Sequence, residues 1–251
     1  MARYKYQKTN YTSYIVILLV GLLIGFALTS LFFSVEPEKE VAVVPEEPLK
    51  KMYAEINLVA VDQEGNGVST PLTVEAIPGD GKVLTDIEKL LFWVDTQYSI
   101  QTARNVAINI TKKNMNDYDL IYSIKTEATL VGGPSAGAAL TLATIAALQN
   151  KTLKNDIIIT GTVDPDGSIG QVGGVLEKAQ AASDVGIKVF LVPPGQGEEV
   201  YLRPNETCER KAGFIFCETI YEQVTINIGD SVGISVIEVE NIKEAMAYFG
   251  L

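Results

Sequence analysis

The chain has 251 residues, enough for one well-buried domain with an accessory segment or for two small domains. Its 47% apolar and 20% charged residues are typical of a globular protein and argue against wholesale disorder. The formal net charge is −11, and because Arg3, Lys5 and Lys8 are the only charged residues before residue 34, the rest of the chain carries 17 basic and 31 acidic groups. Such an acidic surface repels phosphate backbones, so we expect no nucleic-acid partner.

The sequence contains no histidine. This excludes a Ser-His-Asp triad, a Cys-His pair and any zinc site with histidine ligands. A hydrolase of this composition must take its general base from a lysine, a carboxylate or an amino terminus when it works near neutral pH. We expect no metal ion and no cofactor.

Residues 14–33 form a stretch of 20 residues without a charge. As a helix with a rise of about 1.5 Å per residue, they would cross a hydrocarbon core of roughly 30 Å. A buried core helix is one alternative, but such helices usually carry a polar face and this segment has none. A cleaved signal peptide is the other, but its apolar region is normally about 7–15 residues long. We predict one uncleaved transmembrane helix in contact with membrane lipid.

The flanks of this segment predict its orientation. Three basic residues precede it, and five glutamates follow within residues 34–51, although that stretch also holds three lysines. By the positive-inside rule the amino terminus then stays in the cytoplasm and the rest of the chain lies outside it. Three prolines among the glutamates make 34–51 typical of an extended spacer, so we predict a linker there and a folded domain over 52–251.

The pattern after residue 51 alternates strand-like and helix-like segments, which predicts an α/β (α+β) domain. The predicted strands cover 54–61, 71–77, 119–126, 156–163, 187–192 and 234–239. The predicted helices cover 86–113, about 134–149, 174–185 and 241–249, the last with Asn241 as its N-cap. Residues 193–232 lack a clear periodicity and are predicted to be an insertion.

That insertion contains the two cysteines of the chain, Cys208 and Cys217. The eight residues between them could be closed by a disulfide across a small loop or hairpin. Two unrelated buried thiols are the alternative. A location outside the cytoplasm favours the disulfide, because oxidising compartments preserve such bonds.

The first candidate catalytic residue is Ser135, in the segment LVGGPSAGAALTLATIAALQN at 130–150. Gly132 and Gly133 allow a tight turn with an exposed backbone, and Pro134 suits a first helical position. Ser135 then falls in the opening turn of an apolar helix, where free N–H groups and the positive helix end could form an oxyanion hole. An ordinary helix-capping serine is the alternative reading.

The second candidate is Lys178, in GQVGGVLEKAQAASDVG at 170–186. It lies on the apolar side of the predicted helix, a stripe formed by Val175, Ala179, Ala182 and Val185. Burial disfavours the ammonium form, so a lysine in this position should have a lowered pKa and could act as a base. A lysine whose stem covers apolar surface while its amine reaches water is the alternative.

Together the two segments resemble the proteolytic domain of Lon-family serine proteases, which use a Ser-Lys dyad. Pro134, Ser135, Ala136 and Gly137 match the family's Pro-Ser-Ala-Gly motif, and Gly173, Gly174 and Lys178 match its Gly-Gly-x-x-x-Lys motif at a separation of 43 residues. The intervening TGTVDPDGSIGQVGG also resembles the family. The likeness covers about 54–192 and the closing strand and helix.

The resemblance implies the Lon proteolytic fold, of the ribosomal S5 domain 2-like group, and hydrolysis of peptide bonds in polypeptide substrates. It makes Ser135 the nucleophile, Lys178 the general base and Thr160 the hydroxyl partner of that lysine. Gly133 and Pro134 would support the serine, and Gly173 and Gly174 the lysine. A homo-oligomer is also compatible with the resemblance.

The sequence departs from the family in two respects. Gly132 stands where many members carry an acidic residue, three positions before the serine. No G-x-x-x-x-G-K-[ST] phosphate loop occurs in the sequence, so the family's ATPase module is not represented and we expect ATP-independent cleavage.

Two other functions are weighed against proteolysis. A catalytically inactive Lon-like domain could serve as a membrane-tethered binding or assembly module, which Gly132 favours. A small-molecule kinase shares the fold group, but its phosphate loop is longer and richer in glycine and serine than GGPSAG, so that reading rests on fold analogy alone.

Overall fold

The computed structural model describes residues 11–32, 52–86, 91–92, 94–125, 130–131 and 133–251. The chain divides into two units, 1–46 and 47–251. In the first unit helix α1 spans Tyr11–Phe32. Among the described residues no helix is found that is both long enough and apolar enough to cross a membrane. Residue 33, the last of the predicted anchor, and the predicted linker 34–51 lie outside the described residues.

The second unit is a mixed α/β structure. Its elements in chain order are β1 (Met52–Val61), β2 (Gly67–Pro78), β3 (Val83–Thr85), β4 (Leu91–Phe92), α2 (Val94–Thr111), β5 (Tyr118–Ile124), β6 (Leu130–Val131), α3 (Gly137–Gln149), β7 (Ile157–Ile159), β8 (Thr162–Val163), β9 (Ile169–Gly170), α4 (Val175–Asp184), β10 (Val189–Val192), β11 (Glu198–Lys211), β12 (Phe214–Asn227), α5 (Ile228–Val232), β13 (Ser235–Glu238) and α6 (Ile242–Phe249). Short 3-10 turns cover Met115–Asp117 and Pro134–Ala136.

One sheet has the strand order β1-β2-β5-β3, with β3 parallel to β5 and the other pairs antiparallel. Alternate residues of β2 point into the core, where Leu72, Val74 and Ala76 are fully buried. Helix α3 packs on β1, β2 and α2, and its residues 137–148 are all buried. Its five alanines and one glycine leave room for this close packing on every side.

A second sheet of three parallel strands has the order β7-β10-β13. Ile158, Phe190 and Val192 from this sheet join Val59 of β1 and small residues of α4 in a separate core cluster. Helix α4 contacts β1, β2 and β10, so it packs against both sheets. This position explains why its alanine-rich side is buried and why a lysine on that side is buried with it.

Most of the predicted elements are confirmed within a few residues, including the closing helix. Asn241 is its N-cap, since the Asn241 side-chain oxygen accepts a hydrogen bond from the Glu244 N–H at 3.1 Å.

The predicted helix 86–113 is wrong in its first part, because α2 begins only at Val94. Within that part, Leu91–Phe92 forms a short strand that pairs in parallel with Leu130–Val131. Just before it, residues 83–85 pair in parallel with Leu120–Tyr122. Short apolar runs fit a helix or a strand equally well in sequence, and only the partner strand decides between them. Residues 87–90 and 93 lie outside the described residues.

The predicted strand 156–163 is two strands. Ile157–Ile159 pairs with β10, whereas Thr162–Val163 pairs antiparallel with Ile169–Gly170. The chain leaves one sheet at Thr160–Gly161 and enters another, so one apolar run in sequence serves two separate ladders.

The segment predicted to be an insertion contains two long strands that its sequence pattern did not predict, and Cys208 and Cys217 form the predicted disulfide across them. Residues 198–227 form a hairpin of two 14-residue strands joined by Ala212–Gly213, and α5 follows it. Every residue from 200 to 223 is exposed. A strand pattern of period two arises when one face is buried, so a hairpin exposed on both faces does not show it.

Candidate active site

Ser135 lies in the 3-10 turn Pro134–Ala136, directly before α3 rather than within it. The turn is preceded by Gly133 with φ of 98°, a left-handed conformation that glycine adopts without strain. Pro134 occupies the first turn position, as predicted, and is exposed, while Ser135 is half-buried.

The main chain of Ser135 is held from the opposite side by the Thr160–Gly161 segment. The carbonyl oxygen of Ser135 accepts a hydrogen bond from the Gly161 N–H at 3.0 Å and another from the Thr160 hydroxyl at 3.3 Å. The Ala138 N–H in turn donates to the Gly161 carbonyl at 3.0 Å. These three bonds fix the turn that carries Ser135 against the end of β7.

Thr160 was predicted to contact the lysine amine. In this structure its hydroxyl instead donates to the Ser135 carbonyl. Only 1% of the Thr160 surface is exposed, so its hydroxyl is held in place. By its bond to the Ser135 carbonyl it can orient the main chain of the turn that carries Ser135.

Lys178 is buried in α4, with 4% of its surface exposed. Its Nζ donates a hydrogen bond to the Gly173 carbonyl oxygen at 2.8 Å. Burial lowers the pKa of Lys178 to about 8, and the Glu177 carboxylate partly opposes that shift by attracting the ammonium form. A lysine in this state carries an appreciable fraction of neutral amine near neutral pH, as a general base requires.

The turn Gly173–Gly174 precedes α4 and supplies the carbonyl that holds the amine. Gly174 is the N-cap of the helix with φ of 67°, and a Cβ built there would lie 2.6 Å from Cγ2 of Val61. Both observations require glycine at this position. Ahead of the turn, the Gln196 side chain makes two hydrogen bonds to the main chain of Val172, at 2.9 and 2.7 Å.

Ser135 and Lys178 line one cavity of about 340 Å³. The other lining residues are Ala60, Val61, Gly65, Gly173, Gly174 and Glu177. Two further cavities, of about 580 and 320 Å³, contain neither candidate residue. The tertiary structure therefore brings together the serine and the lysine that are 43 residues apart in sequence.

Two residues of this region were not singled out in the sequence. Glu177 lines the cavity, and its Oε2 is buried without a hydrogen-bond partner in the described part of the chain. Its place next to Lys178 was a signal that could have drawn attention to it. Gln196 lies in the segment predicted to be an insertion, and no sequence pattern marked it.

The described residues contain one group of side chains with metal-ligand chemistry, Glu206 with Cys208 and Cys217. The two cysteines are joined in a disulfide, so neither sulfur is available as a thiolate ligand. This group does not fit a metal site.

Residues 70–228 match the family described as the Lon protease (S16) C-terminal proteolytic domain. The match covers more than half of the chain. This chain belongs to that family.

Relatives of this Lon-type domain include the Lon protease of Phenylobacterium zucineum, 32% identical over 133 residues, or 52% of this chain and 17% of that protein. The archaeal Lon protease of Thermococcus kodakarensis is 25% identical over 223 residues, 86% of this chain and 33% of its own length. This Lon-type chain thus spans a third or less of these relatives. The match concerns the proteolytic domain, and both Ser135 and Lys178 lie within the matched residues, whereas Ala60, Val61 and Gly65 of their cavity precede them.

Proposed function

We propose that this chain is a serine endopeptidase that hydrolyses peptide bonds with Ser135 as nucleophile and Lys178 as general base. The observation that carries the proposal is the shared cavity, in which a half-buried serine accompanies a buried lysine whose pKa is lowered to about 8. The match to a proteolytic-domain family supports the same reaction class.

The hydrogen bond from Lys178 to Gly173 is compatible with a base. A neutral amine that donates one N–H to the Gly173 carbonyl keeps its lone pair available. Lys178 then takes the proton of the Ser135 hydroxyl while the serine oxygen attacks the scissile carbonyl carbon. The resulting ammonium remains hydrogen-bonded to Gly173, and its positive charge is stabilised by Glu177.

The later steps use the same groups. Main-chain N–H groups of the Gly133–Ser135 turn hold the developing oxyanion. The Lys178 ammonium gives its proton to the leaving amine, which departs and leaves Ser135 acylated. A water molecule, deprotonated by Lys178, attacks the acyl carbon, and as the bond to the Ser135 oxygen breaks the Lys178 ammonium returns the proton to that oxygen, which releases the acid and regenerates the Ser135 hydroxyl and the neutral amine.

Replacement of the nucleophile tests this proposal. Ser135→Ala should abolish cleavage of an unfolded protein such as casein and labelling by a fluorophosphonate probe. Ser99→Ala is a matched control, because the Ser99 hydroxyl donates a hydrogen bond within its own helix, to the Asp95 carbonyl. Cleavage by Ser135→Ala at the rate of the Ser99 control would overturn the assignment.

A second candidate function is that of a catalytically inactive Lon-like domain that binds polypeptides. The Lys178 amine bonds to Gly173 rather than to the Ser135 hydroxyl, which favours a dyad that is not engaged. Peptide binding with neither probe labelling nor cleavage would support this function over proteolysis.

We further propose that the protein is anchored in the membrane through residues 14–33, with the proteolytic domain outside the cytoplasm. Support comes from the uncharged sequence of that segment, from the basic residues before it and from a disulfide in the domain. Protein extracted from cells by alkaline carbonate would contradict the anchor. A domain protected from added protease in intact cells would contradict the orientation.

We also propose that cleavage does not require ATP and that the protein forms a homo-oligomer. The sequence has no phosphate-loop motif, which supports cleavage at equal rates with and without ATP. Light scattering on the full chain in detergent would determine whether it forms a homo-oligomer.

A further inference from the structure

The hairpin β11–β12 carries a run of three exposed apolar side chains at its tip, and a second run, Val200–Leu202, lies near its other end. Phe214, Ile215 and Phe216 follow the Ala212–Gly213 turn, and Phe214 has 71% of its surface exposed. Isolated exposed apolar residues are common, but three in a row at the end of a projecting hairpin indicate a contact with something apolar.

The register of the hairpin decides what kind of contact this is. Successive residues of a strand point to opposite faces, so Phe214 and Phe216 lie on one face and Ile215 on the other. A hairpin that docks on a protein presents one apolar face and keeps the other polar. A tip that is apolar on both faces needs an apolar medium all around it, as the lipid of a bilayer provides.

The residues paired with this run suit the headgroup region. Lys211 is opposite Phe214 and Arg210 is opposite Ile215, while Glu209, opposite Phe216, forms a salt bridge with Lys211. Long basic side chains at this depth can bury their methylene stems while the charge reaches lipid phosphates. The Cys208–Cys217 disulfide joins the strands two rungs further back, so the tip remains a hairpin although no core packs against it.

We propose that the tip of this hairpin, residues 210–216, inserts into the interfacial layer of a lipid bilayer. The protein would then contact the membrane twice, through the anchor and through the hairpin tip of the proteolytic domain. That the tip meets a bilayer in the cell rests on the proposed anchor at residues 14–33. Residues 34–51 comprise 18 residues, a length that spans at most about 65 Å, so the tether keeps the domain near the bilayer.

The test uses residues 52–251, which lack the proposed anchor. This fragment contains both core clusters of the second unit, so it retains the packing that folds the domain. Flotation with vesicles of equimolar phosphatidylcholine and phosphatidylglycerol measures its binding. The wild-type fragment should float with the vesicles, and binding should weaken as salt is raised because Arg210 and Lys211 contact the lipid.

A tip variant and a stem variant are compared. Phe214→Ser with Phe216→Ser should weaken vesicle binding about tenfold or more, because two phenyl groups no longer leave water. Leu202→Ser with Tyr221→Ser is the matched control, since both residues are 63% exposed on the stem of the same hairpin. The control should bind within about twofold of wild type, as expected for surface substitutions outside a contact.

Three results would overturn the proposal. The first is a wild-type fragment that does not float. The second is an equal loss of binding in the stem and tip variants, which would indicate a protein-like docking face. The third is a wild-type fragment that self-associates without vesicles while the tip variant is a monomer, which would identify a second copy as the occupant. Casein cleavage, measured in the same samples, reports the peptidase separately, and carbonate extraction of the full chain reports the anchor.

Discussion

The Nζ of Lys178 lies 2.8 Å from the carbonyl oxygen of Gly173, five residues earlier in the chain and just ahead of α4. This bond holds a buried amine at the edge of the cavity that Ser135 also lines. It gives the lysine a partner in both protonation states, since the amine and the ammonium can each donate to a carbonyl. The pKa of Lys178 is therefore set by burial, which lowers it, and by Glu177, which raises it.

Peptidase activity should rise with pH and level off above the pKa of Lys178, which burial lowers to about 8, because only the neutral amine accepts the Ser135 proton. Lys178→Arg should be as inactive as Lys178→Ala, since a guanidinium does not lose its proton in this range. Rates of peptide cleavage across pH, measured for the three proteins, check this. Substantial activity in the Arg variant would exclude Lys178 as the base.

Lys178→Met should stabilise the fold at pH 7. Below about pH 8 the wild-type lysine is charged in both states, and holding the charge in the folded state costs about 3 kcal/mol for a pKa reduced from 10.5 to about 8. Between those values the unfolded state binds more protons, so wild-type stability rises with pH and the advantage of methionine disappears by about pH 10.5. Urea unfolding of both proteins at pH 7 and pH 10 measures the difference, and an advantage that does not change with pH would contradict the assignment.

Glu177→Gln should move the pH profile of activity toward lower pH, because the Glu177 carboxylate raises the pKa of Lys178 against the effect of burial. Asp184→Asn is the matched control. Asp184 is an exposed carboxylate at the other end of the same helix, hydrogen-bonded to Gln180. A profile that shifts equally in the two variants would mean that the overall charge of the helix, rather than Glu177, sets the pKa of the lysine.

Gly174→Ala should lower both stability and activity. The residue has φ of 67°, and the added Cβ would meet Val61, a residue of the cavity wall, at 2.6 Å. Gly186→Ala is the control, because Gly186 has φ of 80° but nothing within 4 Å of its Cβ position. The control should lose about 1 kcal/mol from backbone strain alone and keep its activity, whereas Gly174→Ala should lose more in thermal unfolding and cleave more slowly. Equal losses in both variants would show that the contact with Val61 has no role.

The sequence was informative where local chemistry is strongly restricted. The order Gly133, Pro134 and Ser135 predicted a turn that leads into a helix with the serine at its start, and the structure has Ser135 in a 3-10 turn directly before α3. The apolar stripe around Lys178 predicted that its amine is withdrawn from water, and the residue is buried. In both places the backbone preference and the periodicity point to the same structure, so no distant partner is needed to decide it.

The sequence was uninformative where no local pattern marks a segment and its structure depends on the segments that it contacts. The hairpin 198–227 has no buried face, so its sequence carries no alternation that would predict strands. The strand at 157–163 divides because its two halves meet different partners, β10 and β9. The hydrogen bond of Thr160 to the Ser135 carbonyl also depends on where the 3-10 turn lies against the end of β7, which no local pattern contains.

By itself the sequence determined which chemistry is predicted for this protein. The absence of histidine left lysine, carboxylate and amino terminus as bases, and two short motifs selected one serine and one lysine. Only the tertiary structure decided that these two residues share a cavity, that Glu177 faces it and that Gly173 holds the amine. The physical reason is that the residue type decides which side chain can donate or accept a proton. Whether the Ser135 hydroxyl and the Lys178 amine lie in the same cavity depends on how α4 packs against the two sheets.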